Sequence, residues 1–186
     1  RKVKLRFAEE LNENGLLDFS STGGEDQIQE DKYILKGSGK EEYEPRFVWH
    51  GFRYVAVTGF PGTPALDNIE GVLVHSDVEK TGDFECGCNL FNEIFDLYKW
   101  SQLTNFHGGV PSDCPHRERL GYTGDGQLTA EAAIYCFKMV NFYRKWINDI
   151  SDSQGEETGH VQHTAPFYGG GGGPGAWGCA YILMPW

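Results

Sequence analysis

The sequence is poor in basic charge, in long apolar runs and in patterned cysteine, and each shortage removes a class of function. It holds 16 Lys and Arg against 27 Asp and Glu in 186 residues, a net charge of −11. An acidic surface repels phosphate backbones and anionic lipid, which argues against a general nucleic-acid or membrane-surface role. No apolar run approaches the ~20 residues that cross a bilayer. The five cysteines, Cys86, Cys88, Cys114, Cys136 and Cys179, are odd in number and lack a small-scaffold spacing. No disulfide framework follows from them, and they leave the compartment open. An initiator methionine and a signal peptide are also missing, since the chain begins Arg1-Lys2-Val3. It ends Tyr181-Ile182-Leu183-Met184-Pro185-Trp186, an apolar stretch that reads as the opening of a helix. The expectation is an internal piece of a longer protein. Against these shortages stands an aromatic content of 14%, too much burying material for a disordered chain.

The first 82 residues carry strand signals. Val3, Leu5 and Phe7 alternate with Lys2, Lys4 and Arg6, the pattern of a half-buried strand. Asn12-Glu13-Asn14-Gly15 supplies a turn. Residues 20–31 are polar and glycine-bearing and read as an exposed loop. Further strands are expected at Tyr33 to Leu35, Arg46 to Trp49, Phe52 to Val57 and Gly71 to Val78. From residue 83 the period changes. Leu90, Phe91, Ile94, Phe95 and Tyr98 predict a helix running toward Phe106. A second helix is predicted from Ala132, Ala133, Cys136, Phe137, Val140, Tyr143, Ile147 and Ile150, with Cys136 as a small core residue. The expected architecture is an antiparallel β module over residues 1–82 followed by a helical module over 83–186.

Between the two helices, Gly108 to Gly126 forms a long connection, and long loops in compact domains are usually functional or disordered. It contains Asp113, Glu118 and Asp125, about as many acids as composition alone would place there. Their setting among prolines, glycines and aromatics is what singles them out, because rigid scaffolds hold site residues in such loops. Salt bridges of these acids to Arg117 and Arg119 on a solvated loop are the plainer reading. Cys86, Cys88, His107, Cys114 and His116 could be assembled into a zinc set, but no Cys-x-x-Cys pair supports it. A Cys114/His116 nucleophilic pair is weaker still at a spacing of two. The glycine run ending Gly173-Pro174-Gly175 lacks the Gly-Lys-Ser/Thr of a phosphate loop. It reads instead as close backbone approach beside a pocket, followed by Trp177, a residue that suits either a core or a sugar-ring floor.

The loop Val110-Pro-Ser-Asp-Cys-Pro-His-Arg-Glu-Arg-Leu-Gly-Tyr-Thr-Gly-Asp-Gly-Gln127 closely resembles the acid-bearing loop of the bacterial α-L-rhamnosidases of glycoside hydrolase family 78. Tyr33-Ile-Leu-Lys-Gly37, Tyr43-Glu-Pro-Arg-Phe47 and His50-Gly-Phe-Arg-Tyr-Val55 resemble the β-sandwich module that precedes the catalytic domain of that family. Ala176-Trp177 and the terminal Met184-Pro185-Trp186 resemble its next barrel helix. The resemblance implies an α+β multidomain fragment, a β-sandwich portion followed by the first helices of an (α/α)6 barrel. It implies inverting hydrolysis of terminal α-L-rhamnosides, with water as nucleophile and no cofactor. Residue by residue, Glu118 matches the general acid, and Asp113 and Asp125 match carboxylates that hold the rhamnose hydroxyls. Arg117 stands beside the acid, Tyr122 occupies a position where many relatives have Trp, and Trp177 matches an aromatic lining the sugar subsite. Gly178 replaces an acid found there in many relatives. The general base of the family matches nothing in this chain, so the piece alone is expected to be inactive. Tyr122 and Gly178 leave open another (α/α)6 carbohydrate-active enzyme with a different sugar, and a non-catalytic carbohydrate-binding protein is the further alternative.

Overall fold

A computed structural model describes residues 1–22, 27–169 and 175–186. The chain divides into two compact units, Arg1–Leu73 with Pro115–Glu118, and Val74–Cys114 with Arg119–Trp186. The glycine run assigned to close backbone approach lies mostly outside the described residues.

In the β unit, β1 (Lys2–Ala8) is the centre of a three-stranded antiparallel sheet. The short β2 (Glu10–Leu11) and β3 (Leu17–Asp18) form a hairpin beside it in sequence, closed by a turn in which Asn12 Oδ1 accepts from the Asn14 and Leu16 amides. Strands β4 (Gln29–Ile34) and β5 (Tyr54–Thr58) flank β1 on either side. The alternation read from β1 holds. Phe7 is buried, and the opposite face gathers Lys4, Arg6 and Lys32 around the Glu30 carboxylate at 3.0, 3.5 and 2.6 Å. The lysines, Lys32 foremost, hold the Glu30 carboxyl below its ordinary range.

Three local expectations are corrected. Residues 29–31 are not loop but the start of β4, and their register pairs Gln29 with Phe7 and Asp31 with Leu5, on the buried face. Arg46 to Trp49 form no strand, and Phe47 sits fully exposed at φ 61°. Gly71 to Val78 are also not strand, and Val72, Leu73 and Val74 are exposed. Apolar residues become strand only where a ladder of backbone bonds holds them. Residues 71–78 make one backbone bond, from the Ser76 amide to the Phe106 carbonyl at 2.6 Å, with His107 Nε2 at 2.9 Å from the Val74 carbonyl. No ladder follows among the described residues.

The helical unit contains α1 (Asn89–Leu103), a tight hairpin of β6 (Phe106–His107) and β7 (Val110–Pro111), α2 (Thr123–Cys136), α3 (Val140–Asp152) and the short α4 (Gly175–Gly178) and α5 (Ala180–Leu183). Gly108 and Gly109, both at positive φ, make the hairpin turn. The single helix expected from residue 132 to 150 is two helices. Phe137 is extended, and the Lys138 amide donates outward to the Glu79 carbonyl at 2.8 Å rather than back along a helix. The Thr81 and Gly82 amides reach Cys136 in the same short pairing. The break resets the helical phase, so Val140, which extends the apolar stripe on paper, is exposed. The core gathers Phe106, Phe137, Met139, Phe142, Tyr143, Trp146 and Ile150. Among the described residues no helix is long and apolar enough to cross a membrane.

Candidate active site

Within the helical unit, the acid-bearing loop is tied at its neck. The Asp113 amide donates to the Leu120 carbonyl at 3.0 Å, and the Leu120 amide returns a bond to Asp113 Oδ1 at 2.9 Å. The Cys114 thiol donates to the other oxygen, Oδ2, at 3.0 Å. A carboxylate has about four acceptor sites, so both oxygens keep capacity for a further donor. Arg119, next to the neck, has φ 58°, a left-handed conformation that non-glycine residues rarely adopt and that costs on the order of 1 kcal/mol. Before the neck, the Ser112 amide is held by the Asn105 carbonyl at 2.8 Å.

After the neck, Gly121 to Thr123 run antiparallel to His163–Ala165. The Ala165 amide donates to Gly121 at 2.9 Å, the Thr123 amide to His163 at 2.6 Å, and Tyr122 bridges Thr164. This pairing launches α2 directly at Thr123, nine residues before the apolar spacing shows a helix. Glycines in the first turn hide that start from a propensity reading, since each costs ~1 kcal/mol relative to Ala inside a helix. The structure explains why they are there. A Cβ on Gly124 would lie 2.5 Å from Trp177 Cε2, and one on Gly126 would collide with the Trp146 ring. Trp177 therefore lies directly on the first turn of α2, and Gln127 Nε2 donates to the neighbouring Ala176 carbonyl at 2.5 Å.

Asp125 follows Gly124 in this turn, at the surface. Partial desolvation, helped by the charge of Asp113, lifts its carboxyl above the ordinary aspartate value. Asp113, Tyr122, Asp125 and Trp177 thus belong to one unit, with Trp177 against the turn that carries Asp125 and Asp113 close enough for its charge to be felt there. Arg117 and Glu118 belong to the other. The segment 115–118 is part of the β unit, where His116 Nδ1 stands 3.5 Å from Glu9 Oε1 and the Pro115–His116 peptide rests on Gly51. Both Arg117 and Glu118 are exposed. Among the described residues no three His, Cys, Asp or Glu side chains gather as a metal set. Reading the sequence missed the partners that hold the loop: Leu120, Gly124, and the Gly51–Gln29 pair of the β unit. Only Gly51 carried any signal, as a small residue between His50 and Phe52.

Comparison with known proteins finds the bacterial α-L-rhamnosidase concanavalin-like domain over residues 1–75 and the bacterial α-L-rhamnosidase six-hairpin glycosidase domain over residues 79–186. An α-L-rhamnosidase of Streptomyces avermitilis is 40% identical over 186 residues, covering 99% of this chain and 18% of that protein. The chain therefore spans less than a fifth of that relative's length. The structure of an α-L-rhamnosidase from Dictyoglumus thermophilum is 44% identical with a TM-score of 0.88, covering 100% of this chain and 21% of that one. The crystal structure of the Streptomyces avermitilis enzyme complexed with L-rhamnose gives a TM-score of 0.89, over 100% of this chain and 18% of that one.

Proposed function

The chain belongs to the bacterial α-L-rhamnosidases, and from that premise we propose that it supplies the acid side of an inverting α-L-rhamnosidase active site, with Glu118 as general acid. The observation that carries this reading is the grouping in the helical unit. Two carboxylates near enough to influence each other stand with an indole laid on the same helical turn. Carboxylates accept from sugar hydroxyls, and an indole face covers the apolar C–H face of a sugar ring. A rhamnose ring fits that chemistry, and one solved relative is described as complexed with L-rhamnose. Asp113 and Asp125 bind hydroxyls, Trp177 and Tyr122 line the ring, and Arg117 orients the acid or the sugar.

Glu118 protonates the glycosidic oxygen as the bond to the anomeric carbon breaks. A second carboxylate on the opposite side activates the attacking water, and the pair stand ~6.5–9.5 Å apart to admit it. That base belongs to the longer protein in this reading. The exposed position of Glu118 suits a group that must meet a leaving oxygen arriving from outside.

The test is rhamnose release from methyl α-L-rhamnoside, whose alkoxide leaving group must be protonated, by the full-length protein, wild type beside Glu118→Gln. General acid catalysis contributes ~10²–10⁴-fold, and a loss of that size is expected. Equal rates would place the acid elsewhere. The anomer released first, read by proton NMR, is expected to be β; an α product would overturn the inverting mechanism.

A further inference from the structure

We propose that the β unit positions the general acid: Gln29 and Gly51 hold the Pro115–His116 backbone, Glu9 stands against the His116 ring, and the three act as positioning residues for proton donation from Glu118, which extends from that segment. The proposal rests on the reading of Glu118 as the acid.

The chain of contacts starts in the sheet. Gln29 is paired with Phe7 of the central strand and buried on its apolar face. Its amide makes two bonds to one residue, accepting from the Gly51 N–H at 3.0 Å and donating to the Gly51 carbonyl at 2.7 Å. Buried amides left without partners are costly, so this reciprocal pair fixes where the Gly51 backbone lies. The preceding His50 is fixed too. Its Nε2–H points at both oxygens of buried Asp31 at 3.1 Å, and its ring stacks on Phe7 with centroids 4.2 Å apart.

Gly51 then carries the loop. A Cβ there would lie 2.8 Å from the Pro115 carbonyl carbon, 2.9 Å from the His116 nitrogen and 2.9 Å from Pro115 Cγ. Its φ is outside the left-handed region, so glycine is required for space and not for conformation. From a second direction Glu9, just past the end of β1, meets the His116 ring at 3.5 Å. Pro115, with φ locked by its ring, transmits these restraints stiffly. Two sheet-anchored contacts therefore converge on two consecutive residues, and Glu118 follows two positions later.

Proton transfer is sensitive to such placement, and an error of 1 Å can cost ~10²-fold. The cost falls unevenly on substrates. An activated aryl leaving group departs as a stable phenolate and needs little protonation, whereas an alkyl alcohol must receive the proton as the bond breaks. Loss of fold or of sugar binding lowers both alike, because the rhamnose ring is common to them.

The experiment compares Gly51→Ala, Glu9→Gln and Glu118→Gln in the full-length enzyme on 4-nitrophenyl and methyl α-L-rhamnoside, with melting temperature measured alongside. Gly51→Ala is expected to lose ~10–100-fold in kcat on the methyl glycoside and less than ~3-fold on the aryl one. Glu9→Gln should shift the same ratio in the same direction by a smaller factor. Equal losses on both substrates, or none from either variant, would overturn the positioning role. Where Gly51→Ala fails to fold, Glu9→Gln decides, since its side chain is already one-third exposed at 32%. If Glu118→Gln itself spares the methyl glycoside, the acid assignment fails and this proposal with it. If Glu118→Gln penalises the methyl glycoside while the other two variants do not, only the positioning role falls.

Discussion

In the helical unit the interior is mainly aromatic and aliphatic, built on Trp146, Phe106, Phe142 and Ile150 with smaller polar groups such as Thr123 and Thr164 at its edge, whereas the buried face of the β unit sets Gln29, Asp31 and His50 beside Phe7. Apolar burial is strong and non-directional, and holds a unit together without dictating which backbone atom lies where. Hydrogen-bonded polar pairs add little net stability but fix position, because any other arrangement leaves a buried group unsatisfied. The helical unit thus reads as a stable platform for Asp113, Tyr122, Asp125 and Trp177, the residues proposed to hold the sugar. The β unit reads as a locating device for four residues of the acid-bearing loop.

The contrast can be broken most severely at Trp146. It is fully buried, its indole N–H donates to the Ala165 carbonyl at 2.9 Å, and its ring fills the space kept open by Gly126. Trp146→Ala is expected to cost ~3–5 kcal/mol by denaturant unfolding, the range for removing a large buried aromatic. The matching test in the β unit is Gln29→Met, which preserves size and strands the Gly51 N–H and carbonyl. It should cost ~1–3 kcal/mol. A cost below about 0.5 kcal/mol would show that the Gly51 groups find other partners, and the polar face would then be incidental.

Much of this was legible in the sequence, though unevenly. The β1 alternation, the α1 period and the acid-bearing loop could all be read, because each is a local pattern or a run of rare residue types. Gln29 and Asp31 could not, since a polar strand face looks solvated until a buried partner is known, and their partners lie about 20 residues away. The break at Phe137 was hidden for a similar reason: it is made by Glu79 and Thr81 pairing from outside the helix. Glycines 124 and 126 disguised the start of α2, their purpose being set by Trp177 and Trp146, distant in sequence. In the candidate site, residue types marked Asp113, Glu118 and Asp125. The neck at Leu120 and the assignment of Glu118 to the β unit needed coordinates.

Asp125 offers the smallest and most diagnostic effect. Its folded carboxyl titrates above the ordinary 3.8, chiefly through desolvation and with help from Asp113. Across the window between 3.8 and that raised value, the folded state binds more protons than the unfolded one. Stability must therefore fall as pH rises through the window and stay lower above it. Asp125→Asn removes the charge. The full-length variant should melt slightly higher than wild type near neutral pH, with the gain disappearing below about pH 3.8. The gain is small because the side chain lies at the surface, where solvent screens it, and because a first-turn carboxylate recovers ~0.3–1 kcal/mol from the helix dipole. Asp113→Asn should shrink it further by removing the neighbouring charge. The same Asp125→Asn change is expected to weaken L-rhamnose binding. A variant that is more stable yet binds less identifies a carboxylate kept for its ligand, whereas one that melts lower at neutral pH would make Asp125 a structural cap of α2.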